Sequence, residues 1–117
     1  MTFNNDFKHD LEVGKIYEEK LANLLGKKIE VKRDFGTQRT KNVFIEYWSR
    51  DKPSGISTTE ADYYAIWIAE DRMILISTDK LKDLCRVYGK NEKRNVCGGD
   101  SDSSKGILLP ISDLLKL

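Results

Sequence analysis

The chain has 117 residues, 39% hydrophobic and 33% charged, with 20 basic against 19 acidic side chains, one histidine and two cysteines. That length suits one domain spanning residues 1–117 and leaves little room for a second. A net charge of +1 excludes a polybasic nucleic-acid coat, and no apolar run approaches the roughly 18 residues of a membrane span.

In chain order, residues 1–13 read as an irregular or short helical lead-in. Their polar start, MTFNNDFKHD, has no apolar core of the kind a secretory signal needs. From Gly14 to Leu25 the spacing of Tyr17, Leu21, Leu24 and Leu25 predicts a helix, with Gly26 placed to end it. Ile29 and Val31 alternate with Glu30 and Lys32, the period of a half-buried strand. FGTQRTK reads as a polar turn, NVFIEYWS as a second strand, and RDKPSGIS as a loop. Thr58 or Thr59 is placed to cap a short helix through Tyr64. AIWIA and MILIS read as strands around the turn Glu70-Asp71-Arg72. Thr78 is placed to cap a further helix carrying Leu81, Leu84, Cys85 and Tyr88 on one face. Residues 89–106 are polar and glycine-rich, with GGDSDSSKG expected as a surface loop. ILLPI is a last strand, and Ser112 is placed to cap a terminal turn. The order α-β-β-α-β-β-α-β predicts an α/β domain around a small mixed sheet.

Cys85 and Cys97 form no CxxC pair, and with His9 as the single histidine no Cys–His zinc cage can be assembled. Both are read as reduced thiols of a cytosolic protein, a disulfide between them being the alternative. His9 lies in a polar segment and makes a poor member of a catalytic triad.

The chemistry centres on Glu30-Val31-Lys32. Residues two apart on a strand share a face, so Glu30 and Lys32 are expected to project together while Ile29 and Val31 point into the core. A carboxylate beside an ammonium suits phosphodiester hydrolysis, the one holding a divalent metal and the other neutralising developing charge. Glu18 lies at the edge of the apolar helix stripe, placed to reach over the sheet. Glu46 shares a strand face with Phe44 and Trp48. If its strand pairs with that of Glu30, then Glu18, Glu30 and Glu46 converge. Three carboxylates together need a cation, and a hard divalent one is the natural partner.

In these residues the chain resembles a small phage-type member of the PD-(D/E)xK nuclease superfamily, the group that includes Holliday-junction resolvases. Gly14-x-x-x-Glu18 is similar to the first helix of the resolvases, and Glu30-Val31-Lys32 to the ExK element. The stretch NVFIEYWSRDKPSGISTTEADYYAI, then KLKDLC and GGDSDSSKGILLPI, resembles the segments that follow. The resemblance implies a restriction-endonuclease-like fold: a small mixed sheet flanked by helices. It also implies Mg2+ or Mn2+, a branched or duplex DNA substrate, a homodimer cutting two strands, and a phage-encoded protein in the host cytoplasm. Glu18, Glu30, Lys32 and Glu46 are its implied catalytic residues, the three glutamates holding the metal. The family's usual aspartate, on a strand ahead of ExK, is missing here. Glu46, Asp34 or, more remotely, Asp10 are candidates to replace it. The competing expectation is a catalytically inactive module of the same fold that binds DNA or a protein.

Residues 27–42 carry six basic and two acidic side chains, a local positive patch suited to phosphate. Lys28, Arg33, Arg39 and Lys41 are the expected DNA contacts, and a solvated charged face is the other reading. Tyr47, Trp48, Tyr63, Tyr64 and Trp67 are expected to be core or interface aromatics, with base stacking as the alternative. Lys52-Pro53-Ser54-Gly55 is either a phosphate-tracking turn or an ordinary one.

Overall fold

The computed structural model describes residues 3–98 and 102–117. The architecture is mixed α/β. Helix α1 (Phe3–Leu25) is followed by β1 (Ile29–Arg33), a short α2 (Thr37–Thr40), β2 (Asn42–Ser49), β3 (Lys52–Pro53) and a 3-10 turn at Gly55–Ser57. Then come β4 (Tyr63–Ala69), β5 (Arg72–Ser77), α3 (Thr78–Tyr88), a second 3-10 turn at Glu92–Arg94, β6 (Asn95–Gly98), β7 (Ser104–Pro110) and α4 (Ile111–Leu114).

The strands divide between two sheets instead of the single mixed sheet expected. One has the order β1-β4-β5, the other β3-β2-β7-β6. β1 runs parallel to β4, with Glu30 beside Tyr64 and Lys32 beside Ile66, and β4 pairs antiparallel with β5. β2 pairs antiparallel with β7, so the expected antiparallel pairing of Glu30 opposite Glu46 does not form. One apolar core joins the two sheets. Val43 and Ile45 of β2 meet Tyr64 and Ile66 of β4, Ile76 of β5, Leu81 of α3, and Ile107 and Leu109 of β7. Burying branched side chains from both sheets in one layer is the main favourable term.

Several local expectations need correction. α1 extends back to Phe3, well ahead of Gly14; residues 1 and 2 lie outside those described. The helix expected through Tyr64 is replaced by the Gly55–Ser57 turn and then β4, because Tyr63–Ala69 is rich in β-favouring side chains and pairs on both edges. α3 forms as expected, but its cap is Ser77, whose side chain accepts from the Lys80 amide at 3.2 Å. β6 arises within the polar segment, where it completes the edge of the second sheet. Of the loop expected over residues 98–106, residues 99–101 lie outside those described; Gly98 ends β6, and β7 begins at Ser104.

The faces of β1 are the reverse of the expected ones. Glu30 and Lys32 share the face of Tyr64 and Ile66, which are 2% and 1% exposed. Ile29, Val31 and Arg33 lie on the outer face, and Val31 is 59% exposed. β1 is an edge strand, so its inward side chains reach the rim of the core, where a charged end stays hydrated.

Cys85 and Cys97 are both free. Cys97 is exposed, while burial pushes the Cys85 thiol up to about 11. Since the thiolate is the nucleophile, iodoacetamide at pH 8 is expected to modify Cys97 about tenfold faster than Cys85 or more. Peptide mass spectrometry over a time course checks this, and equal rates would contradict it. Among the described residues, no helix is long and apolar enough to cross a membrane.

Candidate active site

β2 is paired with β3 only at Trp48 and Ser49, so the edge of its first half carries no strand. The edge of β1 stands nearby. Between them lies a cleft of about 690 Å³ whose lining includes Lys32, Asp34, Phe44, Glu46, Gly55 and Tyr64. Each side chain is held there by a local cause.

Glu30 and Lys32 come from the inner face of β1, their charged ends 3.9 Å apart and about half exposed. Glu46 comes from β2, where the pairing with β7 slips by one residue between Glu46 and Trp48. A bulge of this kind re-aims neighbouring side chains. The Ser54 hydroxyl donates to Glu46 Oε2 at 2.7 Å. The next residue, Gly55, has φ +53, and a Cβ there would come within 2.2 Å of the Glu46 carbonyl oxygen. Only glycine fits this corner. Thus the Lys52–Gly55 turn acts as a brace for Glu46. On the cleft's far wall the Phe44 ring lies over Gly106, where a Cβ would approach within 2.5 Å of it.

Tyr64 lies in the cleft with its hydroxyl buried. Burial is the first cause that raises its phenol above the usual tyrosine range; Thr59 pulls the other way, and Glu30, Cys85 and Glu46 add to the rise. The two glutamates therefore act on one phenol from two different sheets. Sequence reasoning missed this role because it placed Tyr64 at the end of a helix. The signal available was parity, since Tyr64 and Ile66 alternate with Tyr63, Ala65 and Trp67 as on a strand.

Asp34, the alternative ligand, is committed elsewhere. Its Oδ1 accepts from the Gly36 and Thr37 amides at 2.9 and 3.0 Å, and its Oδ2 from the Phe44 amide at 2.8 Å. It ties the end of β1 to the turn and to β2, a structural use that occupies both oxygens. Glu18 is exposed on α1, which packs along neither sheet, so it does not join Glu30 and Glu46. Asp10 is exposed on the same helix. Among the described residues, no three Asp, Glu, His or Cys side chains come together as a metal group. The expected three-carboxylate cluster is therefore reduced to Glu30 and Glu46, because the helix that carries Glu18 stands away from the sheets.

The basic patch is largely engaged locally. Lys28 pairs with Glu60 at 3.6 Å. The Arg33 guanidinium donates to the Asp34 and Trp67 carbonyls and lies 4.3 Å from the Phe35 ring centre. Lys41 Nζ donates to the Gln38 carbonyl at 2.8 Å, and Arg39 is exposed on α2.

No protein-family model, curated protein or solved structure matches this chain. Carboxylates such as those of Glu30 and Glu46 are the hard oxygen donors that Mg2+ and Mn2+ take, one or two at a time, completing the shell with water and substrate oxygen.

Proposed function

We propose that the chain is a metal-dependent DNA endonuclease with a restriction-endonuclease-like fold, acting on branched or duplex DNA as a homodimer. The observation that supports this most is that Lys32 and Glu46 line one cleft with Tyr64, beside which Glu30 stands in the sheet register and 3.9 Å from Lys32. Glu30 and Glu46 are the residues that would hold Mg2+ or Mn2+, which when bound polarises a phosphate and acidifies a coordinated water. Lys32 is placed to neutralise the negative charge that builds on the phosphate oxygens as the phosphodiester is attacked. Tyr64, whose phenol is protonated at neutral pH, would offer a hydrogen-bond donor to an anionic oxygen in the cleft. Ser54 and Gly55 hold Glu46 in position. Lys28, Arg33, Arg39 and Lys41 are the basic side chains proposed to contact the phosphate backbone, a contact that would weaken as salt rises.

A second reading, an inactive module of this fold that binds DNA or a protein, draws on the lack of a three-carboxylate group among the described residues. A labelled four-way junction and a linear duplex, each incubated with the protein in millimolar Mn2+ or Mg2+, separate the two. Cleavage of either substrate is expected, together with a rise in melting temperature on adding metal, since a ligand of the native state stabilises it. Binding without cleavage favours the inactive module. The absence of both cleavage and a melting shift would sink the metal site.

A further inference from the structure

Among the described residues, α1 carries an apolar stripe with no partner. Phe7, Leu11, Leu21 and Leu25 are 60%, 52%, 50% and 59% exposed. With Gly14 and Glu18 between them they recur at spacings alternating between four and three, the seam of a helix that packs against something. At about 1.5 Å per residue the 23-residue helix is roughly 34 Å long. It projects from the sheets and gives the molecule a long axis of 60 Å against 28 and 27 Å.

The three-stranded sheet has an apolar face of similar size, also without a partner. Register places Ile29 beside Tyr63, Val31 beside Ala65 and Leu75, and Arg33 beside Trp67 and Met73. Ala65 is buried at 6% exposure, but the others lie outside the core that joins the sheets, and Val31 and Met73 are 59% and 45% exposed. Exposed contiguous apolar surfaces of this kind mark interaction sites.

We propose that α1 of one copy lies on the outer face of the three-stranded sheet of a second copy, and that the exchange is reciprocal. Three observations name a second copy as the occupant. First, α1 has no free joint by which to fold back. The Gly26 and Lys27 amides continue its last turn onto Asn23 and Leu24, while the Lys28 amide donates to Asp62 and the Lys28 carbonyl accepts from Asp62 and Tyr63. A short, committed hinge favours exchange between copies. Second, the acidic residues on the stripe's side of α1 are Asp10 and Glu18, and the charged residue on the sheet face is Arg33, whose guanidinium also donates to the Asp34 and Trp67 carbonyls. Third, each large side chain withdraws on the order of 100 Å² when covered. Two such helix-on-sheet contacts reach the roughly 1,600 Å² of a standard interface, and reciprocal exchange leaves neither surface open. The outer face lies opposite that of Glu30 and Lys32, so the assembly leaves that pair uncovered; it deepens the homodimer of the proposed function, and its test reads association without reading cleavage.

Sedimentation equilibrium of the full chain is expected to give about twice the 13.5 kDa chain mass. Leu21→Asp and Val31→Glu should each weaken association tenfold or more. Both positions are exposed, so circular dichroism should show the fold retained. As a second measurement, a Leu21→Cys chain is mixed with a tagged Leu75→Cys chain, both carrying Cys97→Ser, and treated with a short bismaleimide. A cross-link between the two different chains supports the exchange. A monomer at 100 µM, no cross-link between the two different chains, or a dimer indifferent to both substitutions would overturn it.

Discussion

Glu46→Gln is expected to slow DNA cleavage on the order of a thousandfold while leaving the fold and the affinity for DNA nearly unchanged. The loss follows from charge. Glutamine is a far poorer ligand for a hard divalent cation than a carboxylate, and a single preorganised electrostatic group is worth about 10²–10³ in rate. The fold should survive because the interaction at this side chain is the 2.7 Å bond from Ser54, which the glutamine carbonyl can still accept. Affinity should survive because it rests on basic side chains. Lys32→Ala should behave the same way, since Lys32 is half exposed and its ion pair with Glu30 is a surface one. Single-turnover cleavage in Mn2+, read with melting curves and filter binding, checks both. Full activity in Glu46→Gln would remove the proposed metal site; loss of folding in Lys32→Ala would make that residue structural.

Asp34→Ala is expected to act on stability, costing about 3 kcal/mol. Its carboxylate accepts from three backbone amides, those of Gly36, Thr37 and Phe44. Removing it leaves those donors unpaired around Thr37, which is 2% exposed. For a chain of this length that cost corresponds to roughly 12 °C in melting temperature. Asp34→Asn should lose less, because the amide oxygen can still accept on one side while its NH2 faces a donor on the other. Thermal and urea melts of the three proteins decide this. Wild-type stability in Asp34→Ala, joined to lost cleavage, would return Asp34 to the role of metal ligand.

The contrast between Glu46 and Asp34 shows what the sequence left open. Both are carboxylates close to Glu30 in the chain, and composition and parity could not choose between them. The choice depends on where backbone amides point, and that is set by the turn after β1 and by the edge of β2. Glu18 illustrates the same limit. Its place in the stripe of α1 was legible, but whether the stripe lies on this chain's own sheet depends on the hydrogen bonds of a single residue, Lys28.

What the sequence determined by itself is local. The helical period of α3, the strand character of β1, β2 and β5, the turn before β5, and the presence of a carboxylate–lysine pair on one strand face could all be read from residue order, because these depend on neighbours within a few positions. Tertiary structure alone decided which strands pair, which face of β1 turns inward, that Lys32, Glu46 and Tyr64 share one cleft with Glu30 beside Tyr64, and that α1 stands apart. A period of two says that a strand has two faces without saying which one meets the core. That is settled by partners far along the chain, here Tyr64 and Ile66 beside β1 and Leu109 and Ile107 beside β2.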